Sequence, residues 1–203
     1  MHPKVYQAFE RICSERKVGG AVLEVGAVPD DTSLLTMKSL KRVQEKIGIN
    51  LDGPHRYNDF SIVQGNTNAM TCFKNDQFDV VLSNAVLEHD KFFWKTAAEM
   101  RRVTKPGGLM VLGAAGYATL PIEKYLHFFI GQLARVFPSV ERWFFNNATV
   151  TFRVHNFPGD YYRFSYQAFT EVFFEGMHDV RISSLMVPPR IIGSGIKPYM
   201  SIV

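Results

Sequence analysis

An α/β fold with a doubly wound, mostly parallel sheet is predicted by two features of the chain. Short β-branched apolar runs, each ending on small or polar residues, alternate with amphipathic segments at helical spacing through residues 1–115. Parallel strands need a crossover between them, so this alternation puts helices on both faces of one sheet. Counting the runs gives seven strands, and a long helical stretch after the fifth reads as an inserted cap. The 203 residues suit a single domain at roughly 150 residues each.

Val5, Ala8, Phe9 and Ile12 repeat at helical spacing, which predicts a helix within residues 1–19, ended by Gly19-Gly20. A core of residues 20–115 follows. Its first strand is Ala21–Val25, opening directly onto Gly26. Asp30 to Ser33 offer helix caps, so a helix is expected over Leu34 to Lys46. Ile47–Leu51 is the second strand, stopped by Asp52-Gly53-Pro54. Phe60–Gln64 and Phe78–Leu82 are the third and fourth, and Phe92 to Val103 is helical. A turn at Lys105–Gly108 leads into the fifth strand, Leu109–Leu112. Residues 116–163 form the cap and substrate segment, with Ile122, Leu126, Phe129, Ile130, Leu133 and Phe137 on one stripe before Trp143-Phe144-Phe145. Residues 164–203 supply a last helix, capped by Ser165, and two closing strands, Val180–Val187 and Ile191–Ile196.

Composition narrows the function classes. A 46% hydrophobic and 21% charged chain is an ordinary globular one, which excludes disordered and collagen-like classes. The first residues carry charges throughout and no apolar run, so a cytoplasmic location is expected rather than secretion. Tyr125 to Phe137, the most apolar stretch, is broken by His127, Gln132 and Arg135 and falls short of the ~20 residues a membrane span needs. Cys13 and Cys72 form no metal motif and read as buried thiols, and the scattered histidines show no ligand spacing, so no metal is expected. The charge of +4 is spread over short helical groups, which argues against nucleic acid as a partner.

Ligands of such sheets bind beyond the carboxyl ends of the strands. Four motifs meet that edge in order. They are Val22-Leu23-Glu24-Val25-Gly26, Gly48-Ile49-Asn50-Leu51-Asp52, the stretch from Gly65-Asn66 through Phe78-Asp79-Val80-Val81-Leu82-Ser83-Asn84 to Leu87-Glu88-His89, and Glu99-Met100-Arg101-Arg102-Val103 with Lys105-Pro106-Gly107-Gly108. In these motifs the chain resembles the class I S-adenosylmethionine-dependent methyltransferases, in particular the small type 11 group, over about residues 15–115. The resemblance implies a Rossmann-like fold, S-adenosylmethionine as cofactor and S-adenosylhomocysteine as its product. It also implies cofactor contacts from Glu24 at the amino-acid end, Asn50 or Asp52 at the ribose, Asn66 with Thr67 at the adenine, and Ser83 and Asn84 at the fourth strand's end. The first motif keeps only Gly26 of the family's alternating glycines, with Ala27, Val28 and Pro29 following. Asn50 and Asn66 stand as amides where the family carries acids.

Methyl transfer needs alignment and, for an oxygen acceptor, a base. His89 follows the fourth strand. His155 and Asp160 fall in a run, His155 to Ser165, dense in polar and aromatic groups. That run resembles a His-x-x-Pro-x-Asp-Tyr-Tyr/Trp-Arg-Phe segment of methyltransferases encoded among glycan and natural-product genes. His89, His155 and Asp160 are therefore the candidate bases, and Tyr161, Tyr162 and Arg163 the candidate substrate contacts. The function expected is methylation of a small polar acceptor, foremost at an oxygen of a sugar, carboxylate or secondary metabolite. The alternative is a catalytically degenerate fold serving as a binding or regulatory module. The aromatic cap reads as core and pocket wall, with a homodimer or membrane-surface contact as its other uses.

Overall fold

A computed structural model describes residues 1–117, 132, 135, 159–186 and 189–199 of the chain. Most of the expected cap and His155 lie outside the described residues. Residues 1–117 and 157–203 make one compact unit, and its architecture is as follows.

Helix α1 (Pro3–Glu15) starts where the His2 side chain accepts from the Lys4 amide at 3.2 Å, and it buries Val5, Ala8, Phe9 and Cys13. The strands are β1 (Ala21–Val25), β2 (Glu45–Asn50), β3 (His55–Tyr57), β4 (Phe60–Gln64), β5 (Phe78–Asn84), β6 (Thr104–Ala115), β7 (His178–Leu185) and β8 (Arg190–Ile196). They form one sheet in the order β3-β4-β2-β1-β5-β6-β8-β7. Strands β4, β2, β1, β5 and β6 run parallel, while β3, β8 and β7 join antiparallel.

Side chains alternate across this sheet, as the pleat requires. Val22, Val80, Leu82 and Val111 pack on the α1 side, with Phe9 and Cys13. Leu23, Val25, Val81, Met110 and Leu112 pack on the other side, with Ala97, Met100 and Val103 of helix α2 (Phe93–Val103). Helices therefore cover both faces. Burial pushes the Cys13 thiol up to about 12, which leaves it inert. Cys72 is exposed, contrary to expectation.

Three elements differ from the sequence reading. The sheet has eight strands rather than seven. The extra one, β3, pairs Tyr57 with Phe60 across an Asn58-Asp59 turn in which Asn58 takes φ +48°. At three residues it is too short to carry a period. The helix expected over Leu34 to Lys46 is instead two 3-10 turns, Leu34–Thr36 and Lys38–Leu40. Leu34, Leu35, Met37 and Leu40 are all fully buried, yet about 100° per residue would spread them over roughly 220° of an α-helix. A kink at Met37, with ψ 141°, turns all four inward. The Lys105–Gly108 turn is a bulge inside β6. There β5 residues Phe78 and Val80 pair with Thr104 and Leu109.

Candidate functional site

The register brings the carboxyl ends of β4, β2, β1 and β5 level, with Gly113 of the longer β6 beside them. Val25 pairs with both Ile49 and Ser83, Asn50 with Gln64, and Asn84 with Gly113. Gly26, Asn50, Gly65-Asn66 and Asn84 therefore crown neighbouring strands.

Gly26 adopts φ +81°, a conformation glycine takes without strain. A Cβ there would lie 2.2 Å from Val86 Cγ2. Its amide donates to Ile49 O at 2.8 Å, so the turn after β1 is stitched to β2. Asn50 continues the stitch. Its Nδ2 donates to Ala27 O at 2.8 Å, and its Oδ1 accepts from the Asp52 amide at 3.3 Å. Both ends of Asn50 are thus engaged, whereas Asp52 is exposed and, among the described residues, its carboxylate meets only His55, at 3.1 Å, through one oxygen.

Glu24 turns into the protein. Its carboxylate accepts from the Ser33 hydroxyl, from Leu34 N at 3.1 Å and from Leu35 N at 3.4 Å, so it caps the first 3-10 turn. Burial raises its pKa to about 7, against the lowering effect of those three bonds. Ser83 is buried and donates to Val25 O at 3.2 Å, a tie between β5 and β1. Asn66 is exposed. Its Oδ1 accepts from the Asn68 amide at 2.9 Å, which fixes the amide's orientation and leaves Nδ2 outward. Thr67 accepts from Thr96 at 2.9 Å, and Asn68 reaches Asp90 at 2.6 Å and Thr96 at 2.8 Å. These bonds fasten the loop after β4 to the start of α2. Asn84 Oδ1 is buried and accepts no hydrogen bond among the described residues. A Cβ on Gly113 would stand 2.6 Å from it and 3.0 Å from the Phe9 ring, so a side chain there would force the amide to shift.

A second polar group surrounds the turn Leu87–His89. Glu88 is 1% exposed. Its Oε1 accepts from Ala115 N at 3.2 Å and pairs with Arg190, while Oε2 is buried with no hydrogen-bond partner among the described residues. Its backbone oxygen accepts from Tyr161 N at 2.8 Å and Tyr162 N at 3.2 Å. The run after the cap is thereby laid beside the ends of β5 and β6. Asp160 holds Arg163 with two bonds of 2.6 Å, and Tyr162 donates its hydroxyl to Lys91 O at 3.1 Å. A Cβ on Gly159 would lie 3.5 Å from His89 O, which brings His89 to the same run.

The structure thus gathers His89, Asp160, Tyr161, Tyr162 and Arg163 on one rim of the strand ends. Glu88 and Arg190 went unremarked in the sequence reading, although Glu88 lies inside a quoted motif. An acid amid apolar residues just past a buried strand was the available signal. Truncating either partner should separate their burial. Arg190→Met strands a buried carboxylate and is expected to cost about 3 kcal/mol, whereas Glu88→Gln leaves a guanidinium able to reach water and costs about 1 kcal/mol. Urea unfolding checks this, and the opposite order would make Arg190 the more desolvated partner.

A family described as "Methyltransferase domain" matches residues 34–112. Over that stretch, which is less than half of the chain, the sequence is similar to methyltransferase domains. An uncharacterized methyltransferase of Mycobacterium tuberculosis is 52% identical over 40 residues, which is 20% of this chain and 16% of that relative. The matched stretch is thus a small part of the relative's length. The phosphoethanolamine N-methyltransferase 2 of Haemonchus contortus was solved with phosphomonomethylethanolamine and S-adenosylhomocysteine. It superposes with TM-score 0.62 at 12% identity, covering 97% of this chain and 53% of that one. The N-methyltransferase NodS of Bradyrhizobium japonicum gives TM-score 0.59 at 13% identity, covering 97% and 96%. These likenesses show the fold alone, which this chain shares with both methyltransferases. Among the described residues, no cluster of three metal-ligating side chains occurs and no helix is long and apolar enough to cross a membrane.

Proposed function

We propose that this methyltransferase domain binds S-adenosylmethionine at the strand ends and methylates a small polar acceptor, foremost at an oxygen, releasing S-adenosylhomocysteine. The observation that carries the reading is the line of side chains crowning adjacent strands, with Asn84 Oδ1 buried and unsatisfied among them. When bound, the cofactor supplies an electrophilic methyl group on a sulfonium.

This chain's residues have distinct tasks. The turn at Gly26-Ala27, held by Ile49 O and Asn50 Nδ2, keeps backbone low at the end of β1. Asp52, whose carboxylate keeps a free oxygen, is assigned the ribose diol, with Asn50 bracing the turn rather than contacting it. Asn66 Nδ2 points a donor at the adenine edge, because its Oδ1 is already occupied by Asn68. Asn84 Oδ1 accepts from the ammonium of the amino-acid end, and Glu24 and Ser83 support the turn and the strands beneath. His89 is assigned the acceptor's proton. Asp160 is assigned the orientation of Arg163, since both its oxygens carry guanidinium bonds. Tyr161, Tyr162 and Arg163 are the acceptor's contacts, and His155 keeps its place as a candidate base from the sequence alone.

Calorimetric titration tests the reading. S-adenosylmethionine and S-adenosylhomocysteine are each expected to bind in the micromolar range, and Asp52→Ala should weaken both about tenfold by removing a charge-assisted hydrogen bond. Failure to bind either ligand, alone and with candidate acceptors, would leave the fold as a binding or regulatory module.

A further inference from the structure

The surface at the start of α2 has a composition of which the methyl-transfer reading uses only Tyr161. Phe92 and Trp94 are each 47% exposed, and Tyr161 is 48% exposed. Phe92 meets Trp94 edge to face with centroids 5.7 Å apart. Lys95 Nζ sits 5.0 Å from the Phe92 centroid, and Lys91 Nζ 5.5 Å from that of Tyr161. The half-buried rings of Phe93 and Tyr162 join these two groups into one strip, with centroids 5.3 Å from Trp94 to Phe93, 4.9 Å from Phe93 to Tyr162 and 6.1 Å from Tyr162 to Tyr161.

The strip's charge is one-sided. Lys91 and Lys95 are both exposed and form no ion pair with any described residue. The acids close to them in sequence and space face away. Asp90 accepts from Phe92 N at 2.8 Å, from Asn68 at 2.6 Å and from Thr96 at 2.7 Å. Glu88 is buried on Arg190, and Asp160 is held by Arg163. Two positive charges and three large rings are left at the surface.

We propose that this strip docks the protein on an anionic lipid bilayer, with the ring edges entering the headgroup boundary and the two lysines meeting acidic headgroups. Aromatic residues with one apolar and one wet end favour that boundary, and lysine stems lie along apolar surface while their charges stay in water. The ring arrangement favours lipid over single-stranded nucleic acid, the other ligand of aromatic and basic groups. Nucleobases stack on open ring faces. Here Lys95 covers a face of Phe92, Lys91 covers a face of Tyr161, and Trp94 is packed by Phe92 and Phe93. Docking sets the rim of the strand-end site, through Tyr161, against the membrane surface. The inference shares only Tyr161 and the half-buried Tyr162 with the methyl-transfer reading, and its test substitutes no residue of the cofactor or acceptor site.

Sedimentation of the purified chain with vesicles tests the proposal. Vesicles containing phosphatidylglycerol are expected to carry the protein down, and pure phosphatidylcholine vesicles to leave it in solution. Each lysine near an acidic surface is worth roughly fivefold in partition, so the Lys91→Gln, Lys95→Gln double variant should bind about thirtyfold more weakly. The Phe92→Ser, Trp94→Ser double variant should also lose sedimentation, while circular dichroism confirms that both variants keep the wild-type fold. No sedimentation with phosphatidylglycerol would overturn the proposal, as would sedimentation that neither variant reduces. Binding of a single-stranded oligonucleotide in place of vesicles, abolished by the same substitutions, would assign the strip to nucleic acid and overturn it equally.

Discussion

Gly26→Ala is expected to abolish S-adenosylmethionine binding and to lower the melting temperature by roughly 5–15 °C. Two separate costs contribute. The position has φ +81°, where an L side chain loses about 1–2 kcal/mol. Its new methyl would also lie 2.2 Å from Val86 Cγ2, an overpacking worth about 1–3 kcal/mol. The turn cannot move freely to relieve the clash, because the Gly26 amide is bonded to Ile49 O and Ala27 O is held by Asn50. The two costs can be told apart. Val86→Ala in the Gly26→Ala background removes the clash and leaves the backbone strain. It should recover about 1–2 kcal/mol relative to the sum of the single variants. Strict additivity in thermal unfolding would show that the Val86 contact does not carry the effect. Cofactor titration of the double variant then asks whether the backbone position alone is needed for binding.

The second large effect concerns pH. Glu24 ionises at about 7 in the folded protein, because burial outweighs the bonds from Ser33, Leu34 and Leu35, against an ordinary value of 4.5 in the unfolded chain. Between those values the native state holds a proton that the unfolded state has released, so stability falls as pH rises through the window. The loss is absent below the unfolded value and complete above the folded one. The size of the shift corresponds to about 3 kcal/mol. Asp79 and Glu99, lying lower in the fold than unfolded, act with the opposite sign at more acidic pH. Glu24→Gln isolates the contribution, since all other groups titrate alike in both proteins. The difference in unfolding free energy between Glu24→Gln and wild type should move by about 3 kcal/mol in favour of the variant from about pH 4 to about pH 8. A difference that stays constant across that range would mean that Glu24 is charged at neutral pH in the folded protein.

Much of the cofactor edge was legible in the chain because parallel strands force it. Once Ala21–Val25 and Phe78–Leu82 are read as buried strands in βαβ order, their carboxyl ends must lie side by side. Small and polar residues at those ends then mark the ligand edge. Which side chain does what was less legible. Asn50 and Asp52 share a strand end in the sequence, and nothing local separates them. The structure separates them by giving both ends of the Asn50 amide to the backbone of Ala27 and Asp52, while the Asp52 carboxylate, proposed above for the ribose, is exposed. Likewise the sequence does not say which end of the Asn66 amide a ligand would meet, and the Asn68 amide decides it by occupying the oxygen.

By itself the sequence determined the alternation of strands and helices, both buried faces, the Ser165 cap and the order of the motifs along one edge. Each of these follows from local period and residue type over a few consecutive positions. Only the tertiary structure decided the rest. The 3-10 turns replaced a helix because four apolar side chains had to share one core. The β3 hairpin added an edge strand through a two-residue turn. The Glu88–Arg190 pair joined residues 102 positions apart. These depend on what packs against a residue rather than on its neighbours in the chain, and burial of a charge is stable only where a distant partner arrives to meet it.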